Sequence, residues 1–205
     1  MKKLFVSNSR ESTRMFKSNI LESLSKVHYS VPLIIYIPVI VYFGWRALAV
    51  VHNTAWQFIG SLVAGLLVWT LTEYVMHRFV FHFVPKSKWG LRLHFLFHGV
   101  HHDYPSDALR LVLPPSVSIP LATGFYFLFY ALIPEIYLNG FYSAFMTGYL
   151  FYDITHYALH HATFQNAVWK KLKHHHMLHH YTDPNKGYGV SSALWDKIFR
   201  SDFEK

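Results

Sequence analysis

The sequence predicts an all-α integral membrane protein with about four transmembrane helices in two hairpins and a histidine-rich helical cap on the cytoplasmic side. Three observations lead to this fold class. Hydrophobic residues occupy 52% of the 205 positions and charged residues only 15%, whereas soluble domains average roughly 25% charged residues. Several apolar runs are long enough to cross a bilayer as helices. The 16 histidines collect in dense clusters beside those runs.

The chain divides into two segments. Residues 1–30 are polar and basic and lack the apolar core of a secretory signal, so we expect a basic, amphipathic cytoplasmic N-terminal segment. Residues 31–205 form the membrane domain. Its predicted spans are 31–51 and 55–76 in one hairpin and 111–133 and 136–159 in the other. Pro114, Pro115 and Pro120 should make the third helix start late or bend.

The basic residues predict the orientation of the spans. With four spans and both termini on one side, every Lys and Arg except Arg46 falls on that side. The positive-inside bias makes it the cytoplasmic side. The formal net charge of +8 then lies where anionic lipid headgroups are, and no nucleic-acid motif accompanies it. We therefore expect membrane lipids, and no nucleic acid, as partners of the basic surface.

The absence of cysteine excludes disulfides, thiolate metal ligands and cysteine nucleophiles. Any metal must therefore be held by imidazole, carboxylate or water. The candidate ligands are four histidine clusters at the predicted cytoplasmic face: "HRFVFH" (77–82), "HGVHH" (98–102), "HYALH" (156–160) and "HMLHH" (176–180).

Helical spacing predicts how these clusters converge. Residues at i, i+3 and i+4 share one helix face, so His98, His101 and His102 can aim three imidazoles at one point. The triple His176, His179 and His180 repeats that spacing, and His156 and His160 form an i, i+4 pair. His77 and His82 are five residues apart, so they converge only if the second span breaks or unwinds between them.

Ten imidazoles are too many for one ion and suit two, so the cap would hold a di-metal site. Ligand type leaves the metal open, because imidazole binds Zn, Cu, Fe and Ni. Asp153, Asp103 and Glu73 lie close to ligands in the sequence and could orient ligand rings by accepting their N–H groups. The other histidines, His28, His52, His94, His161, His174 and His175, are expected to be mostly structural.

The clusters and their order resemble the membrane fatty acid hydroxylase superfamily over about residues 70–200. The stretches "RLVLPP" (110–115), "YDITHYALHH" (152–161) and "KGYGVSSALWDKIF" (186–199) resemble its fatty acid 2-hydroxylase branch in particular. The resemblance implies the ten histidines as metal ligands: His77, His82, His98, His101, His102, His156, His160, His176, His179 and His180. It also implies a monooxygenase that uses two metal ions, expected to be iron with zinc possible in isolated protein, and O2 as co-substrate.

The substrate implied by the resemblance is a fatty acyl chain, often within ceramide or a related sphingolipid, hydroxylated at carbon 2. Many members carry a fused cytochrome b5 domain, for which 205 residues leave no room, so we expect a separate cytochrome b5-like or ferredoxin-like electron donor. Lys170, Lys171 and Lys173 could dock an acidic donor. The short chain favours a bacterial inner membrane, with the endoplasmic reticulum as the eukaryotic alternative.

Two other functions remain open at this point. A relative within the superfamily could act on sterol or carotenoid substrates. A non-enzymatic divalent-metal-binding or transport protein is also conceivable, although transporters place ligands near the bilayer midplane and these histidines gather at one face.

Overall fold

The computed structural model describes residues 4–203, and the regular secondary structure of those residues is all helical, with no strand among them. Its α-helices are α1 (Asn19–Leu24), α2 (Ser30–Trp45), α3 (Ala55–Val75), α4 (Lys88–His94), α5 (Val100–Asp103), α6 (Pro115–Leu132), α7 (Glu135–His161), α8 (Ala167–Tyr181) and α9 (Leu194–Ile198). There are also three π-helical segments among these residues. Arg46–Val50 extends α2, Met76–Phe81 extends α3, and Phe95–Gly99 joins α4 to α5. The all-α prediction is confirmed.

Three helical stretches among residues 4–203 are long and apolar enough to cross a membrane: Ser30–Val50, Ala55–Phe81 and Pro115–Leu132. They coincide with three of the four predicted spans. As expected from its prolines, the third helix begins late, at Pro115.

The fourth predicted span coincides with α7, which is less apolar than the other three. From Leu138 to Leu150, every residue of α7 except Thr147 is buried. It packs against α2, α3 and α6. Other helices, rather than lipid, surround this part of α7, so its faces can carry Asn139, Ser143 and Asp153. These polar residues make the mean hydropathy of α7 lower than that of a helix that faces lipid.

Small residues let α3 and α7 approach closely. A Cβ added at Gly65 would lie 2.2 Å from the Phe141 carbonyl oxygen, and one added at Gly148 would lie 2.4 Å from the Trp69 ring. Such contacts are typical of membrane helix interfaces, where association depends on close van der Waals packing. This pairing fixes the position of the α3 end, which carries His77, relative to the α7 end, which carries His156.

The N-terminal segment packs on the loop that follows α5. Backbone N–H groups of Val6 and Ser7 donate to the Asp103 carbonyl at 2.9 and 3.0 Å, and Val27 donates to Leu109 at 3.0 Å. Glu22 of α1 forms a 2.6 Å ion pair with the buried Arg110. The segment therefore covers one side of the histidine-bearing helices.

Candidate metal centre

The structure brings all ten predicted histidine ligands together, in two groups of five. Cluster A contains His77, His82, His98, His102 and His179, and cluster B contains His101, His156, His160, His176 and His180. In each group one ligand atom per residue lies within 4.8 Å of all the others. Each cluster takes side chains from at least three separate elements.

The π-helical segment Met76–Phe81 explains how His77 and His82 reach the same cluster. The His82 N–H donates to the His77 carbonyl over five residues, at 3.1 Å, which is the π-helical pattern. The wider turn brings the two rings to a centroid separation of 4.9 Å. The predicted unwinding at the end of the second span is confirmed.

Both histidine triples are split between the clusters, contrary to the prediction that each would converge on one point. His98 and His102 belong to cluster A and His101 to cluster B, while His176 and His180 belong to cluster B and His179 to cluster A. The reason is angular. Adjacent helix residues are about 100° apart, so His101 and His102 diverge although both share a broad face with His98. Each triple thus contributes to both clusters.

In cluster A, the hydrogen bonds of His77 and His179 leave the lone pair of each ring on the nitrogen that faces the other histidines. His77 Nδ1 donates to the Tyr188 carbonyl at 2.5 Å and His179 Nδ1 donates to the Lys186 carbonyl at 2.7 Å. In a neutral ring this places the lone pair on Nε2. His77 Nε2 lies 3.2 Å from His98 Nε2, and His179 Nε2 lies 3.0 Å from His82 Nε2. Converging lone pairs suit a shared cation.

Burial keeps these rings neutral, which is the form that binds metal. Burial first, and then the neighbouring imidazoles, lower the pKa of His98, His101 and His180 well below the usual range. Burial lowers the pKa of His179 to about 4, although its hydrogen bond to Lys186 acts in the opposite direction.

Cluster B contains buried ring nitrogens that have no hydrogen-bond partner within residues 4–203. They are both nitrogens of His101 and His180, Nε2 of His156 and Nδ1 of His176. Leaving a buried polar atom unpaired costs about 1–3 kcal/mol, and a metal ion bound by these nitrogens would remove that cost. The residues of both clusters therefore fit divalent transition metals, one ion per cluster, and imidazole donors suit iron or zinc alike.

Of the three carboxylates proposed to orient ligand rings, those of Asp153 and Glu73 accept hydrogen bonds from other groups. Asp153 accepts from the Leu113 N–H at 3.3 Å and the Tyr149 hydroxyl at 3.4 Å. Glu73 accepts from Val190 and Ser191. The backbone carbonyl of Asp103 accepts from the Val6 and Ser7 N–H groups of the N-terminal segment.

Sequence reasoning missed the backbone acceptors at Lys186 and Tyr188. Both lie in the "KGYGVSS" stretch, residues 186–192, where backbone carbonyls leave no signal in the sequence. Of the histidines expected to be structural, His175 lies 3.4 Å from both Asp196 and Asp202. Neither His175 nor the other five such histidines belong to cluster A or B.

An apolar cavity reaches both clusters. His98 of cluster A and His101 and His156 of cluster B form part of its wall. The rest comes mainly from α3, α6 and α7, including Trp69, Leu121, Phe125, Phe145 and Met146. The cavity is open at one side, and its empty space with the open mouth included is about 840 Å³.

Fold and site together define a histidine-rich membrane protein with a candidate two-metal centre. The family model for fatty acid hydroxylases matches residues 62–201. A dihydroceramide fatty acyl 2-hydroxylase of Arabidopsis thaliana is 39% identical over 192 residues, covering 93% of this chain and 80% of the relative. The rat fatty acid 2-hydroxylase is 36% identical, covering 92% of this chain and 56% of the relative.

A solved structure agrees with these sequence matches. The visible hydroxylase domain of full-length scs7p superposes with a TM-score of 0.85 at 38% identity, covering 91% of this chain and 70% of that chain. The chain belongs to the fatty acid hydroxylase family and is a hydroxylating oxidoreductase. The relatives named here with their organisms are eukaryotic, so they give no support to the expectation of a bacterial membrane.

Proposed function

We propose that the protein is a membrane di-metal monooxygenase that hydroxylates carbon 2 of a fatty acyl chain, within ceramide or a related sphingolipid. The relatives carry this activity in their names: a dihydroceramide fatty acyl 2-hydroxylase, a fatty acid 2-hydroxylase and, in Schizosaccharomyces pombe, a ceramide very long chain fatty acid hydroxylase. The observation that carries the proposal is the apolar cavity ending at both histidine clusters.

The cavity explains why a lipid chain suits this site. Its walls offer Leu121, Phe125, Phe145 and Met146 to a hydrocarbon, and burial of each methylene contributes about 0.8 kcal/mol. His98 of cluster A and His101 and His156 of cluster B lie in the same wall. A chain lying in the cavity therefore presents one of its carbons to cluster A and cluster B together, and the apolar surroundings exclude water from that point.

Replacing the C2–H bond by C2–OH is a two-electron oxidation, which acid–base side chains alone cannot supply. A reduced metal pair held by the two histidine clusters, proposed here as iron, would supply O2 activation, with one oxygen atom entering the substrate, the other leaving as water, and two electrons and two protons consumed. The chain's own part is to hold ten neutral imidazoles in place, orient the acyl chain and keep water away.

The proposed topology has four crossings, with α7 as the fourth and both termini and both clusters on the cytoplasmic side. In this arrangement the described part of the N-terminal segment, residues 4–30, lies on the membrane surface. Ile20 and Leu24 of α1 are 73% and 60% exposed, as expected for a short helix that rests its apolar side on lipid. Residues 31–205 form the membrane domain.

Electrons are proposed to come from a separate cytochrome b5-like or ferredoxin-like protein, docked by cationic residues such as Lys170 and Lys171 at the exposed start of α8. The chain spans about half the length of the S. pombe and rat relatives. Long-range steering weakens as salt rises, so turnover with a purified acidic donor should fall steeply with ionic strength. A flat salt response would exclude electrostatic docking.

Lipid mass spectrometry after expression in a sphingolipid-producing host tests the proposed reaction. Wild-type protein should add 16 mass units to acyl chains, located by fragmentation at carbon 2. The double variant His179→Ala/His180→Ala removes one ligand from each cluster and should abolish the product, whereas His28→Ala, in an exposed loop, should preserve it. Products on sterols or carotenoids would favour the alternative substrates, and metal uptake into vesicles without any lipid product would favour transport.

A further inference from the structure

Two ligands of cluster A are oriented by a single loop, residues 186–191. The Lys186 carbonyl accepts from His179 Nδ1 at 2.7 Å, and the Tyr188 carbonyl accepts from His77 Nδ1 at 2.5 Å. The two histidines come from different elements, the π-helical end of α3 and helix α8. The loop therefore sets the tautomer and ring orientation of both ligands at once.

Two buried carboxylates hold this loop. Glu73 of α3, 5% exposed, accepts from the backbone N–H groups of Val190 and Ser191, each at 2.8 Å, and from the Ser191 hydroxyl. Asp196 of α9, fully buried, accepts from the backbone N–H groups of Tyr188 and Gly189 at 2.9 and 2.7 Å. Although burial raises the pKa of Asp196, hydrogen bonds from His175, Gly189 and Tyr188 lower it overall, and hydrogen bonds to an ionised carboxylate are about twice as strong as neutral ones.

The path of the loop depends on glycine. Gly187 has φ of +70°, in the left-handed region that side chains disfavour. A Cβ at Gly189 would lie 2.0 Å from the Ser192 carbonyl oxygen and 2.9 Å from Asp196 Oδ2. The tight turn lets Asp196 reach the Tyr188 and Gly189 N–H groups from one side while Glu73 holds the following two residues from the other.

Cluster B is supported differently. Both ring nitrogens of His101 and His180, and Nδ1 of His176, lack hydrogen-bond partners within residues 4–203. The Nε2 atom of its ligand His160 lies 2.9 Å from Nε2 of His176, within the same cluster. The loop contacts therefore distinguish cluster A from cluster B.

We infer that Glu73 is a positioning residue for cluster A alone, acting through the 186–191 loop on His77 and His179, with Asp196 as the second support of that loop. The inference rests on the proposed metal centre. It also gives the "KGYGVSS" stretch a physical role, because this stretch carries the backbone acceptors that orient two metal ligands. Glu73, four residues before His77, binds this stretch and makes no hydrogen bond to the histidine within residues 4–203.

The test measures Zn2+ affinity separately for each cluster, in full-length protein in detergent, by competition with a chromophoric chelator. A His176→Ala background leaves cluster A as the intact site, and a His98→Ala background leaves cluster B. Glu73→Gln is added to each, because the amide keeps the shape of the carboxylate but removes its charge and one of its two acceptor oxygens. Outer partners of metal ligands typically account for about 10–100-fold in metal affinity.

The expected result is a 10–100-fold loss of Zn2+ affinity with Glu73→Gln in the His176→Ala background and no change in the His98→Ala background. Ser191→Ala, which removes one of the three donors to Glu73, should give a smaller loss on the same cluster, and Asp196→Asn a loss of similar size. Glu22→Gln is the matched control, since Glu22 is also buried and accepts two backbone N–H groups, from Met15 and Phe16. It should change neither affinity.

Equal losses on both clusters, or no loss on cluster A, would overturn the inference while leaving the metal centre intact. If neither single-histidine background binds Zn2+ although both remain folded, the proposed metal centre and this inference fail together.

Discussion

The Nε2 atoms of His82 and His179 lie 3.0 Å apart although 97 residues separate them in the chain. Both rings are also near Tyr188, whose ring centroid lies 5.4 Å from that of His82 and 5.6 Å from that of His179. The contact joins the end of the second membrane helix to helix α8. Cluster A therefore forms only when the helices that carry these two histidines are packed together.

The first prediction concerns the α3–α7 interface. Gly65→Ala should lower the melting temperature in detergent, because the new methyl group would lie 2.2 Å from the Phe141 carbonyl oxygen. Overpacking of this kind costs about 1–3 kcal/mol. Gly60→Ala on the same helix is the matched control, since nothing lies within 4 Å of a Cβ added there. Equal melting temperatures for the two variants would contradict the close approach.

The second prediction concerns the acyl cavity. Ala122→Phe places a ring in the cavity wall, so hydroxylation of long acyl chains should fall roughly tenfold or more, since a steric change in a hydrophobic pocket is worth about 1–3 kcal/mol. Metal content should stay unchanged. Ala131→Phe makes the same substitution at an exposed position of α6 and should leave the product yield near that of wild type. Equal product yields from both variants would show that the cavity does not hold the acyl chain during hydroxylation.

The third prediction is a pH dependence of stability that depends on Glu22. Burial raises the pKa of this carboxyl, but backbone hydrogen bonds from Phe16 and Met15 and the charge of Arg110 outweigh it and lower the pKa to about 2. Since the folded pKa is depressed, the ionised form stabilises the fold above the unfolded value, which the usual glutamate range puts near 4.3, and that contribution is lost as pH falls towards 2.

Denaturant unfolding of wild type and Glu22→Gln checks this dependence. The wild type should be the more stable at pH 6–7, and its advantage should be constant above about pH 5 and shrink steadily below it. A difference in unfolding free energy that stays constant down to pH 3 would show that Glu22 is not held as an ion by Arg110 and the Met15–Phe16 backbone.

The sequence predicts the histidine arrangement well where local geometry decides it. His77 and His82 are five residues apart, so their convergence already required an irregular turn, and the π-helical segment Met76–Phe81 provides it. The division of each triple between two clusters could not be predicted, because His98, His101 and His102 share one broad helix face. Whether they meet one ion or two depends on what the other elements present to that face.

Tertiary context also explains the less accurate predictions. Helix α7 is long enough to span a bilayer, yet it is the least apolar of the four long helices because other helices surround it. The sequence shows only the low hydropathy of this helix and not the packing that causes it. Glu73 lies one helical turn before His77, a spacing that predicts a hydrogen bond to its ring. In the fold the nearest donors are those of Val190 and Ser191, more than a hundred residues later.

Metal analysis of single-histidine variants tests the central claim most directly. Wild-type protein reconstituted with Fe2+ or Zn2+ should hold about two ions per chain, one for each five-histidine cluster of the structure. His98→Ala and His176→Ala should each retain one ion, and combining the two substitutions should remove both. Retention of both ions in either single variant, or one ion per chain in the wild type, would contradict the two-cluster account.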